Sequence, residues 1–106
     1  MRADYQVHHF EWRGIRIEVR YTPSWAAYYE EIYGEPLAHL EIEALDPKRR
    51  SLPMTETGYR SHFTAPAQID AEGGPVAYVQ RWLEHEAASD NWRNQEAARA
   101  QFSLFD

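Results

Sequence analysis

An α+β domain is what this sequence predicts: a three- or four-stranded, mainly antiparallel sheet with helices packed on one face. Three observations carry that expectation. Two segments of period two flank Arg13-Gly14, a third alternating segment starts at Ala38, and apolar residues recur at helical spacing after Pro75. With 106 residues the chain has the length for one core, and its 43% hydrophobic and 14% aromatic content exceeds what a disordered chain carries.

Taken in order, Tyr5 to Trp12 and Ile15 to Tyr21 read as a β-hairpin, because Gly14 tolerates the positive φ that a tight turn requires. In the second strand Ile15, Ile17, Val19 and Tyr21 share one face, while Arg16, Glu18 and Arg20 share the other. Thr22-Pro23-Ser24 then offers a capping hydroxyl and a first-turn proline. It predicts a helix carrying Trp25, Tyr28, Tyr29, Ile32 and Tyr33 and ended by Gly34 and Pro36, its aromatic stripe expected to pack on the sheet, the alternative being a ligand platform or partner surface. Ala38 to Leu45 alternates again, with Leu40, Ile42 and Ala44 inward and His39, Glu41 and Glu43 outward. Those carboxylates complement Arg16 and Arg20, so the two strands are expected to pair antiparallel through cross-strand ion pairs.

Asp46 to Arg50 is expected to turn, Thr57 to Thr64 to form a fourth strand, and Pro66 to Gly74 to be a loop. Pro75 suits the first turn of a helix to about Ala88, with Val76, Val79, Leu83 and Ala87 on its inner stripe and Trp82 at the margin. Ser89-Asp90-Asn91 breaks or caps, and Trp92 to about Ala100 is helical again. The packed domain is therefore expected to span residues 1–100, with 101–106 as a tail.

Composition removes several chemistries. The chain has no cysteine, which excludes disulfides, thiolate metal sites and thiol nucleophiles. A net charge of −6 argues weakly against nucleic acid as a broad electrostatic partner and leaves a local basic patch open; no direct nucleic-acid binding is expected. No stretch approaches the roughly 20 apolar residues of a membrane span, and the N-terminus has no apolar leader, so a cytoplasmic protein without membrane contact is expected. The histidines do not assemble a metal site. His8 and His9 point to opposite faces of a strand, and His85-Glu86 lacks a second ligand because position 89 is Ser. No metal and no cofactor are expected.

Ser61-His62 resembles a nucleophile beside its base, yet neighbours in a strand diverge. Gly73-Gly74 before a helix is crowded by Asp70 and Glu72, which disfavours an anion there. The densest mixture of polar and aromatic groups lies in Pro53 to Phe63. If this segment is extended, Glu56, Arg60 and His62 share one face and Tyr59, Ser61 and Phe63 the other. An acid, a fixed cation and an imidazole would then converge for phosphate binding or acid/base catalysis. Alternatively, an Arg–Glu pair fixes a loop while the aromatic rings pack.

The stretch Leu52-Pro53-Met54-Thr55-Glu56-Thr57-Gly58-Tyr59-Arg60-Ser61-His62-Phe63 resembles one in uncharacterised small proteins of bacterial plasmids and related mobile elements. That resemblance implies a cellular setting and no activity. At the other end, Gln101-Phe102-Ser103-Leu104-Phe105 resembles the short peptide by which many bacterial replication and repair proteins dock on the DNA sliding clamp. Phe102 stands where that peptide commonly has Leu. The resemblance implies that Leu104 and Phe105 fill an apolar pocket while Gln101 hydrogen-bonds at its rim. The same residues fit a clasp in which Phe102 and Phe105 fold back onto Val76 or Leu83.

Two functions follow from these residues. One is a non-enzymatic accessory protein with a protein partner, and with leftover aromatic surface for a homodimer. The other is a small enzyme that handles an anionic substrate through Glu56, Arg60 and His62.

Overall fold

The computed structural model describes residues 5–103, with side chains through Gln101. Four strands form one antiparallel sheet in the order β1-β2-β3-β4: β1 is Gln6–Trp12, β2 Ile15–Thr22, β3 Ala38–Asp46 and β4 Tyr59–Thr64. Four helices complete the fold: α1 Ala27–Tyr33, α2 Pro66–Ala71, α3 Pro75–Ala87 and α4 Asp90–Ser103. The predicted α+β class is the observed one.

Alternation divides the sheet into two unlike faces. The inner face carries Trp12, Ile15, Ile17, Val19, Tyr21, Ala38, Leu40, Ile42 and Ala44, all buried. Val79, Leu83 and Ala87 of α3, Ile69 of α2, Trp92 of α4 and Leu52 close the core over it. Apolar area leaves water on this side, at roughly 25 cal/mol per Å², and that drives the packing. The outer face carries Glu18, Arg20, Glu41, Glu43 and Tyr59, joined by hydrogen bonds and ion pairs.

The β2–β3 pairing follows its expected charge logic through Arg20, whose register partner is Glu41. Arg16 instead lies at a register shift opposite Asp46 and contributes no ion pair among the described residues. Ser89 accepts a hydrogen bond from the Trp92 amide (3.2 Å) and so caps the start of α4.

Three expectations need correction. Thr22 is a buried residue of β2, and α1 begins only at Ala27, after Ala26 and without a side-chain cap. α1 also does not pack on the sheet: none of its residues is buried, and Tyr28, Ile32 and Tyr33 are 67%, 65% and 65% exposed. A seven-residue helix held between two strands can be carried by its connections without burying a stripe. Third, the segment expected to be a loop after Thr64 contains α2, with Pro66 in its first turn and Ile69 as its buried anchor.

Candidate functional site

β4 is an edge strand, and an edge strand's two faces can serve different surroundings. Its inner face, Arg60, His62 and Thr64, continues the row of Ile42, Leu40 and Ala38 at the margin of the core. There the helices leave a cavity of about 380 Å³ lined by His62, Glu72, Tyr78, Arg81, Trp82 and His85.

The His62 ring sits 4.6 Å from the Trp82 ring, and its Nε2 shares a hydrogen bond with the Tyr78 hydroxyl (3.1 Å). The Arg60 guanidinium lies 5.5 Å from the same Trp82 ring, near enough for a cation–π contact, and donates to the Met54 carbonyl (3.3 Å). Burial, aided by the electrostatic influence of Arg60 and, to a smaller degree, of His39, lowers the His62 pKa. Its imidazole is therefore neutral at neutral pH, suited to accept a proton or to donate a single hydrogen bond. Arg81, which also lines the cavity, is held by Glu72 at 3.2 Å.

Arg60 and His62 thus both meet the Trp82 ring from one face of β4, as their spacing predicted, although of the two only His62 lines the cavity. Glu56 is not with them: it lies before β4, in the turn that follows Leu52, exposed to solvent and outside the cavity lining. The chain leaves the extended conformation at Gly58, where φ is 75°, so the alternation that would have aligned Glu56 stops short of it. The residues missed by sequence reasoning are Glu72, Tyr78, Arg81, Trp82 and His85. Tyr78, Arg81, Trp82 and His85 stand at i, i+3, i+4 and i+7, a second stripe beside the apolar one on α3 and the signal that could have found them.

The outer face of β4 meets a different set. Tyr59 donates to Glu41 Oε1 (2.9 Å), while Arg20 donates to Glu18 (3.1 Å), Glu41 (3.3 Å) and Glu43 (3.4 Å). Burial by itself raises the Glu41 pKa, but the Tyr59 hydroxyl and Arg20 more than offset it, and the net shift is downward. Arg20 likewise resists the effect of burial through its carboxylate bonds and is held firmly charged. Burial and the bond to Glu41 raise the Tyr59 phenol. Farther along, His39 is 5% exposed beneath the rings of Trp25 and Phe63, each 4.4 Å away, and its Nε2 lies 2.6 Å from Ser61 Oγ. As expected, Ser61 and His62 diverge; the strand register supplies Ser61 with another imidazole.

A further cavity of about 440 Å³ lies against Arg13, Glu84, Trp92, Arg93 and Glu96. Its carboxylates tie the hairpin and the β3–β4 connection to the helices: Glu84 accepts from Trp12 Nε1 (2.7 Å) and Arg13 (3.2 Å), and Glu96 from Arg50 (3.0 Å). No group of three or more potential metal-ligating side chains occurs among the described residues. Nor is any described helix long and apolar enough to cross a membrane.

Of the C-terminal peptide, Gln101 is exposed in the last turn of α4, and the helical backbone continues through Ser103. The Phe102 and Ser103 side chains, and all of Leu104 and Phe105, lie outside the described residues, as does the contact that a clasp would make.

The comparison with curated proteins and that with solved structures found no match. A family model does match, and it covers residues 5–92, from the residue before β1 into the first turn of α4. Both faces of β4 and the cavity beside α3 fall inside that span, whereas Gln101 to Phe105 fall beyond it. The match covers most of the chain, and the chain therefore belongs to the KlcB third domain family, a plasmid-associated protein family.

Proposed function

We propose that this plasmid-associated domain is an interaction module whose C-terminal peptide, Gln101 to Phe105, docks on the DNA sliding clamp. The observation that supports this reading is α4, a 14-residue helix whose side chains beyond Glu96, as far as Gln101, are exposed. Such a helix serves as a stalk that holds the peptide away from the core. Docking as an extended strand requires the last turn of α4 to unwind. That costs only the few hydrogen bonds that the last-turn amides donate back along the helix, each worth about 1 kcal/mol.

The test is the affinity of purified clamp for the intact chain and for a chain ending at Ala100. Loss of an apolar anchor pair such as Leu104 and Phe105 removes at least about 2 kcal/mol, or roughly thirtyfold in affinity. Equal affinities reject the reading. The exposed stripe of Tyr28, Ile32 and Tyr33 supports a homodimer as a further protein contact. Sedimentation of the wild type and of Ile32→Glu checks it: a monomer in both rejects the homodimer.

A second reading has its own support in the cavity that His62, Tyr78 and Trp82 line, with Arg60 against the same Trp82 ring just outside that lining. There the domain handles a small anionic substrate, with Arg60 reaching the anion from the rim and the neutral His62 moving a proton. Titration with inorganic phosphate, followed by the His62 ring resonances, tests it. Resonances that do not move up to millimolar phosphate reject it.

A further inference from the structure

We propose that Ser61 and His39 form a nucleophile–base pair on the uncovered face of the sheet, able to take an acyl group from a small activated ester. This goes beyond the interaction and anion-binding readings, since neither uses these two residues.

The geometry is that of a presented nucleophile and a held base. Ser61 is exposed on β4, whereas His39 is almost wholly buried on β3. The separation of 2.6 Å between Nε2 and Oγ is at the short end of hydrogen-bond distances. Trp25 and Phe63, themselves in contact, both pack against the imidazole, with ring planes inclined at 56° and 32° to it. With the His39 proton on Nδ1, Nε2 accepts the Ser61 hydroxyl proton, which is the tautomer a general base requires. Glu41, directly across from Ser61 in the strand register, is kept ionised by Tyr59 and Arg20 and interacts electrostatically with His39. A fixed negative charge at that position favours the imidazolium that forms when the proton arrives. Trp25 and Phe63 also meet edge to face, 5.6 Å apart, and both remain partly exposed, leaving an apolar surface beside His39 for an acyl chain.

The step balances as follows. Ser61 Oγ attacks the ester carbonyl carbon while its proton passes to His39 Nε2. The tetrahedral adduct collapses, the bond from carbon to the alcohol oxygen breaks, and the departing oxygen takes the proton from His39 as a neutral alcohol. The acyl group stays on Ser61 as an ester until water attacks its carbonyl carbon and gives up a proton to His39 Nε2; the bond from that carbon to Ser61 Oγ then breaks, Oγ takes the proton back from His39, and a carboxylic acid leaves. A positioned base contributes about 10²- to 10⁴-fold. The signature is therefore selective acylation of one serine rather than fast turnover.

The experiment treats the full chain with 4-nitrophenyl butyrate and, separately, with a fluorophosphonate probe, and locates the adduct by peptide mass spectrometry. Ser61 is expected to react at least about tenfold faster than Ser24, Ser51 or Ser89, as a general-base contribution demands. Labelling is expected to fall with pH as the imidazole takes a proton, and to vanish in Ser61→Ala. His39→Gln should slow it at least about tenfold. Because His39 is buried and its replacement can disturb folding, the wild-type pH profile stands as a second readout that needs no variant. Labelling spread evenly over the serines, or labelling of Ser61 that does not fall at any acid pH at which the chain stays folded, overturns the proposal.

Discussion

Replacing Gly58 by alanine isolates how the connection between β3 and β4 delivers the candidate site. Gly58 has a φ of +75°, and a Cβ built there falls 2.5 Å from the Arg49 carbonyl carbon and 2.7 Å from both its Cα and its carbonyl oxygen. Those neighbours are backbone, so no side-chain rotation relieves the overlap. Arg49 cannot simply retreat: its amide donates to the Ala44 carbonyl (3.0 Å), and the Ala44 amide in turn donates to the Gly58 carbonyl (2.8 Å).

A left-handed alanine costs about 1–2 kcal/mol. Loss of the two hydrogen bonds adds about 1 kcal/mol each, for roughly 3–4 kcal/mol in all. Gly14→Ala is the control, since Gly14 also has a positive φ of +81° but nothing within 4 Å of the added carbon. It should lose only the conformational part, about 1–2 kcal/mol. At about 4–8 °C per kcal/mol for a domain near this size, Gly58→Ala should melt at least about 12 °C below wild type, by far the larger drop. Thermal unfolding followed by circular dichroism measures both. Equal losses in the two variants would show that the close approach to Arg49 contributes nothing.

Further predictions concern the two faces of the sheet. His62 has a folded-state pKa below its unfolded value, so its contribution to stability is full above the ordinary histidine range and is lost as pH falls through the folded value. Urea unfolding of wild type and His62→Gln at pH 8 and pH 5 should show the wild type losing more stability on acidification, and parallel losses would refute this. On the outer face, Arg20→Met leaves Glu18, Glu41 and Glu43, each 18% exposed, without their shared cation. The cost at pH 7 should lie between that of surface and buried pairs, about 2 kcal/mol. Glu41, with its pKa lowered in the fold, contributes stability above the unfolded carboxylate range and loses it as pH falls, so the gap between wild type and Arg20→Met should narrow toward pH 4. A gap independent of pH would refute the electrostatic account. In the core, Leu83→Ala removes a fully buried side chain and should cost about 2–5 kcal/mol by chemical denaturation.

Much of this arrangement was legible in the chain itself, for local reasons. Period two around Arg13-Gly14 specifies the hairpin and which residues it buries, because a one-residue slip would turn Ile15, Ile17 and Val19 into water. Pro75 and the spacing of Val79, Leu83 and Ala87 specify α3 in the same way, and the alternation of Arg60 and His62 put them on one face of β4. α1 was misjudged because an aromatic stripe at helical spacing looks the same whether or not a surface lies opposite it. α2 escaped because six residues hold too little periodicity to distinguish from a loop. Glu56 was misplaced because the alternation of a strand is meaningful only up to the first residue that leaves it, and Gly58 is that residue.

The pairings on which the candidate chemistry rests belong to the tertiary structure alone. His39 reaches Ser61 through a strand register, across 22 residues of sequence, and Tyr78 reaches His62 through the docking of α3 beside β4. Sequence determines face and period, since these follow from the geometry of one chain segment. Which imidazole meets which hydroxyl depends on where separate segments are pressed together, and burial of Leu40, Ile42, Val79 and Leu83 in one core decides that.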